Sequence, residues 1–245
     1  GTAPTGTPTA SGVSSPYTTS NLMSNTDYGF YLQSDCGGGD LSTWSGPYGF
    51  TTACGVFNLP VCENFDTTPT GTSSSPNTPN CWSFIDSGLG YGYVSTTNDK
   101  SAPNSFYMYN SSDSSGDYIL ISPEINNVSN GNSRIDFWVD GSSGQDLIIG
   151  TMSDAADANT FTAIQTVTLA TSSLENYTIN IPSGTDSYVA LKHGQTGTFD
   201  GYYFDDICIE AIPSCLAPDN LMASNITTTT ADLAWTENGT TAIWN

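Results

Sequence analysis

Tyr202-Tyr203-Phe204-Asp205-Asp206-Ile207-Cys208-Ile209 sets a pair of aspartates among aromatic and β-branched residues. Such residues favour a strand. In a regular strand Tyr203, Asp205, Ile207 and Ile209 share one face. If that face is the core, Asp205 points inward, where an unpaired carboxylate is expensive. The basic residues are Lys100, Arg134 and Lys192, too few to make an ion pair the expected answer. A hard cation held by oxygen ligands answers the charge instead, and calcium suits flexible carboxylate and carbonyl coordination. The alternative leaves both aspartates at an exposed strand start.

Further strands lie upstream. Asp117–Ile121, Arg134–Val139, Asp146–Gly150, Phe161–Leu169, Tyr177–Ile181 and Ser187–Leu191 are short apolar or alternating runs separated by turn residues. Many short strands in one stretch predict an all-β, jelly-roll-like sandwich spanning about residues 58–213. Ser, Thr, Gly and Asn dominate the whole chain, as in a turn-rich β protein.

The 24 acidic residues leave a formal net charge of −21 over 245 residues. Such a chain cannot neutralise phosphates, so nucleic acid is excluded as a partner. Anionic membrane surfaces repel it, and no apolar run approaches the ~18 residues of a spanning helix, so membrane insertion is not expected. Disorder is excluded by an aromatic content of 11%. The opening Gly1-Thr2-Ala3-Pro4 reads as a mature or internal start.

Six cysteines, Cys36, Cys54, Cys62, Cys81, Cys208 and Cys215, contain no C-x-x-C pair. An even, widely spaced set in a lysine-poor chain points to disulfides and an oxidising, extracellular or cell-surface location. Sequential pairs Cys36–Cys54 and Cys208–Cys215 would each close a short loop. For Cys215 a partner within its own flanking domain is the alternative.

Two flanking segments, 1–57 and 214–245, differ from the middle in pattern. The first holds Leu22 and Tyr28 around a polar turn, then Phe30 and Leu32 on the face of Tyr28. It resembles the second half of a fibronectin type III domain, whose tyrosine corner ties a Tyr hydroxyl to backbone. The second, with Pro218, Leu221, Leu233 and Trp235, resembles the first half of such a domain. The two are complementary, so the chain reads as one period of a tandem repeat opened in mid-domain; two unrelated partial domains are the alternative.

The middle segment resembles the MAM and cleaved-adhesin (choice-of-anchor J) group of jelly-roll modules. Cys62-Glu63-Asn64-Phe65-Asp66, Cys81-Trp82, Asp117–Ile125 and Phe204-Asp205-Asp206-Ile207 carry the match. The resemblance implies a calcium tying first strand to last, held by Asp66 and Asp205 with Glu63 and Asp206 as secondary ligands. It also implies a Cys62–Cys81 disulfide. Where the cleaved-adhesin group commonly has an Asp-Gly-Asp-Gly run, this chain has Asp86-Ser87-Gly88.

Catalytic signals are poor. His193 is the sole histidine and stands at a strand end, where solvation is the usual state; no G-x-S-x-G elbow accompanies it. The expectation is a non-enzyme: an adhesive, calcium-stabilised repeat of a large bacterial surface protein, with neighbouring repeats and a cell-surface or polysaccharide ligand as partners. The alternative is a carbohydrate-binding accessory module of a secreted hydrolase. Tyr91, Tyr93, Tyr107, Tyr109 and Tyr202 are the residues that could stack on sugar, or else fill the sandwich.

Overall fold

A computed structural model describes residues 8–215 and 218–237. Gly1-Thr2-Ala3-Pro4 and the parts of the flanks at 216–217 and beyond 237 lie outside the described residues. The strands are β1 (Asp27–Leu32), β2 (Ser45–Thr51), β3 (Val61–Glu63), β4 (Ser83–Asp86), β5 (Tyr91–Ser95), β6 (Ser105–Tyr109), β7 (Tyr118–Ile121), β8 (Asn130–Asp140), β9 (Asp146–Met152), β10 (Thr162–Thr168), β11 (Glu175–Ser183), β12 (Tyr188–His193), β13 (Gly201–Ala211), β14 (Asp219–Ser224) and β15 (Asp232–Thr236). One short 3₁₀ turn, Ala158–Thr160, interrupts them. No helix among the described residues is long and apolar enough to cross a membrane.

Two antiparallel sheets form the sandwich. One has the order β10-β9-β12-β7-β4; the other has β11-β8-β13-β6-β5, with β3 also on β13. Period-2 patterning builds the second sheet. Along β8, Ser133, Ile135, Phe137 and Val139 are buried while Arg134, Asp136, Trp138 and Asp140 stay partly exposed. Phe106, Met108, Tyr202, Phe204 and Ile209 join Ile135 and Phe137 in one core with Leu120, Leu147, Ile149 and Leu191 of the opposite sheet. β7 is buried on both sides. Its outward Ile119 and Ile121 are covered by Met152, Ala155, Ala158 and Phe161, so the segment around the 3₁₀ turn closes the outer face of the first sheet.

The strand expected at 203–209 is present but not regular. Asp205 stands opposite Trp138 and Cys208 opposite Asp136, which leaves one extra residue between them. This is a β-bulge, and Asp206 turns it with φ +46°. Tyr203 and Asp205 therefore belong to the outer face, while Ile207 and Ile209 enter the core. The reading that put all four on one inward face is corrected by that single inserted residue.

The expected disulfide pairs Cys36–Cys54, Cys62–Cys81 and Cys208–Cys215 are likewise corrected. Cys54 is bonded to Cys81 with Cα atoms 5.8 Å apart, and Cys62 to Cys208 at 4.0 Å. Topology is the reason: β3 pairs with β13, and the register sets Cys62 directly opposite Cys208. Neither cystine contains Cys36, an exposed thiol, or Cys215.

β1 and β2 form one two-stranded sheet, β14 and β15 another. Phe30, Leu32 and Tyr48 are exposed on the first, Leu221, Leu233 and Trp235 on the second. The hydroxyl of Tyr28 accepts the Met23 amide at 2.9 Å. The chain then joins the sandwich at Phe57, whose amide donates to the Glu124 carbonyl and whose carbonyl accepts from Asn126, both at 2.8 Å.

Candidate functional site

The sequence-predicted ligands lie in the region where β3 leaves the sheet. The Asp205 side chain lies on the outer side of β13 yet is fully buried. The loop between β5 and β6 folds over it. Its Oδ2 accepts the amides of Lys100 at 2.6 Å and Ser101 at 2.7 Å. Its Oδ1 accepts the Asp206 amide at 2.7 Å. Burial pushes the Asp205 carboxyl above its ordinary pKa, and the three amides pull against that. Lys100 contributes its backbone here; its ammonium sits 4.4 Å from the centre of the Trp138 ring. Asp206 accepts the Ser101 hydroxyl at 2.9 Å.

Asp66 accepts the Asn104 amide at 3.2 Å and the Asn64 side chain at 2.8 Å. Glu63 accepts the Phe65 amide at 2.7 Å. Its carboxyl is raised, first by burial and then by the charges of Asp66 and Asp205, which brings these three acids into one electrostatic neighbourhood. The donor set is of the hard-oxygen kind that calcium takes. Among the described residues, however, no three His, Cys, Asp or Glu side chains gather as ligands around one point.

Asn104 is a residue that sequence reasoning missed. It is buried, and its side-chain amide donates to the carbonyls of Phe65 at 3.1 Å and Thr68 at 3.2 Å. Phe65 holds φ +61° there, which lets its ring enter the core while its carbonyl turns to Asn104. A buried asparagine in a Pro-Asn-Ser turn has no local pattern to announce it. Near the other end of β7, Asp86 accepts the Gly88 amide at 3.1 Å and stands near Asp113. The Asp113 carboxyl is lowered to about 2 by the Ser115 amide and hydroxyl.

His193 is buried, not solvated as expected. Its Nδ1 accepts the Gln195 amide at 2.9 Å and its Nε2 faces the Asp200 carbonyl at 3.2 Å, which fits the neutral ring with its proton on Nε2. Tyr118 and Tyr202 pack edge-on against it. These contacts make it a core residue.

A second feature covers the outer face of the other sheet half. Tyr91 and Tyr93 of β5, Tyr107 and Tyr109 of β6 and Tyr203 of β13 share one side, since Tyr91 pairs with Tyr109 and Tyr107 with both Tyr93 and Tyr203. Ring centres are 5.3 Å apart for Tyr91 and Tyr109, 5.6 Å for Tyr93 and Tyr107, and 4.5 Å for Tyr107 and Tyr203. Tyr202, grouped with them on sequence, points into the core instead and donates its hydroxyl to the Asp146 carbonyl at 2.6 Å. Strand alternation puts Tyr203 in its place.

No family model matches the chain, and no curated protein matches it. Among solved structures, the K1 cleaved adhesin domain of Lys-gingipain from Porphyromonas gingivalis W83 is similar at 19% identity and TM-score 0.49, covering 62% of this chain and 98% of that one. The K2 cleaved adhesin domain of Lys-gingipain follows at 18% and 0.48, with 62% and 99% covered. The CBM22-1 xylan-binding domain from Paenibacillus barcinonensis Xyn10C stands at 12% and 0.41, with 60% and 95% covered. At these identities and scores the likenesses say nothing of ligand or activity.

Proposed function

We propose that this chain is a non-catalytic, load-bearing adhesive module of a secreted or cell-surface protein. One observation carries the reading. The strand that opens the sandwich, β3, lies against the strand that closes it, β13, and the Cys62–Cys208 cystine joins them. Tension applied through the two flanks then crosses from Cys62 to Cys208 by a covalent bond. The 146-residue separation between these cysteines stays out of the load path. The same cross-link restricts the unfolded chain, which for a loop this long contributes about 4–5 kcal/mol in the chain-entropy view.

Two further elements belong to this reading. The flanking hairpins are two-stranded, and such hairpins are marginal alone in water; their exposed apolar residues are supported by neighbouring repeats in an array. Calcium at Glu63, Asp66, Asp205 and Asp206, completed by carbonyls and water, adds a second tie at the same end. The support for it is the concentration of acid there and the raised Glu63 carboxyl.

Single-molecule pulling through the chain ends tests the load path. The oxidised protein should unfold without releasing residues 63–207. The Cys62→Ser/Cys208→Ser variant, in which the Cys54–Cys81 cystine still bypasses the residues between them, should release the chain from residue 82 to 207, lengthening the extension by about 400 Å at ~3.5 Å per residue. Equal extension in both overturns the proposal.

A further inference from the structure

We propose that the face formed by Tyr91, Tyr93, Tyr107, Tyr109 and Tyr203 is a binding site for an extended, neutral polysaccharide. The site does not depend on the load-bearing role above.

The hydroxyls come first. The phenols of Tyr118, Tyr177 and Tyr202 are anchored to Asp113, Glu175 and the Asp146 carbonyl. Among the described residues, none of the five platform hydroxyls has a hydrogen-bond partner within the protein. Their rings are half-buried and ordered by mutual contact, so little side-chain freedom remains to be lost on binding. Burial raises the pKa of Tyr91, Tyr107 and Tyr203, which keeps these phenols neutral donors.

The surface is also built to lie flat. Gly201 stands opposite Tyr109 in the register. A Cβ at Gly201 would sit 2.9 Å from the Tyr107 ring and 3.1 Å from that of Tyr109. Glycine there lets both rings rest across β13. The outer face of the opposite sheet is covered by Ala155, Ala158 and Phe161, whereas among the described residues the tyrosine face carries no such cover.

The ligand class follows from this chemistry. A tyrosine joins an apolar ring to a polar tip. A sugar unit has the matching pair, a face of polarised C–H bonds and a rim of hydroxyls. Asp140, opposite Tyr203 on β8, adds an acceptor beside the rings. The platform crosses three neighbouring strands, a span of about 10 Å, which suits consecutive units of a chain. A net charge of −21 disfavours anionic glycans. This face presents rings edged by hydroxyls without aliphatic side chains, which offers stacking surfaces and polar tips together.

Affinity electrophoresis in native gels containing soluble xylan, galactan, galactomannan, hydroxyethylcellulose or alginate tests the proposal. At least one of the four neutral polymers should retard the protein, and alginate should not. Tyr107→Ala and, at the sheet edge, Tyr91→Ala should each weaken that retardation at least tenfold while melting as the parent does; the pair keeps the test open if one variant misfolds. Tyr48→Ala, on the β1–β2 hairpin, should leave it unchanged. The proposal is overturned if no neutral polymer retards the protein, if alginate alone does, or if both platform variants bind like the parent.

Discussion

Glu63 illustrates what the fold does to one carboxylate. Burial, then Asp66 and Asp205, push its pKa above the ordinary value. The folded protein thus holds this proton to higher pH than the unfolded chain. At pH below the ordinary carboxylate range both states are protonated and no penalty exists. As pH rises through the raised folded value, ionisation inside the fold costs stability. Glu63→Gln keeps the acceptor for the Phe65 amide and never ionises. In calcium-free, chelated buffer its melting temperature should gain on the parent's as pH rises from about 4 to 7. Burial lowers the pKa of His193 and makes acidification destabilising in its own range, so the quantity to read is the difference between the two proteins at each pH, where His193 cancels. A constant difference would detach Glu63 from the cluster. Asp205 shows how far such a site could be read beforehand. Its cost was legible from residue type and the scarcity of Lys and Arg. Its partners were not, because the amides that meet it lie 105 and 104 residues upstream, and a one-residue bulge turned its side chain to the other face.

Elements differ in legibility for a physical reason. β8, β9 and β13 announce themselves because large apolar residues recur at alternate positions. β5 is less legible, since one of its inward positions is Gly92. A Cβ at Gly92 would stand 2.8 Å from the Phe106 ring and 2.9 Å from that of Phe84. The aromatic rings fill the space that a side chain would otherwise occupy, so the apolar half of the alternation is missing from the sequence. Gly92→Val, which improves strand propensity, is therefore expected to destabilise by about 1–3 kcal/mol through overpacking. The denaturant midpoint measures it; an unchanged or higher midpoint would show that Phe84 and Phe106 yield freely. The disulfide pairing was illegible for a related reason, since short loops say nothing about which distant strands become neighbours.

Over the whole molecule, a charge of −21 works against compaction, and it bears most heavily where Glu63, Asp66 and Asp205 come together. A cation bound only by the folded form adds RT ln(1 + [L]/Kd), about 2.7 kcal/mol at a hundredfold excess over Kd. The proposed calcium should thus raise the melting temperature by several degrees over a chelated sample. Asp66→Asn should shrink that gap, and added monovalent salt should weaken the attraction. Identical melting with calcium and with chelator removes calcium from the proposal. The covalent tie at this end has a separate consequence for how the protein is made. In chain order the bonded cysteines run Cys54, Cys62, Cys81, Cys208, so the two cystines interlace instead of nesting or following one another. During synthesis or export from the N-terminus, Cys62 emerges with Cys54 and Cys81 close at hand and its true partner far behind. Early oxidation of Cys54 with Cys81 removes these two competitors, leaves the exposed Cys36 as the remaining upstream thiol, and keeps Cys62 for β13. A premature Cys62 bond must be undone by thiol–disulfide exchange before the sandwich can close, so yield in a host should follow the isomerase capacity of its oxidising compartment.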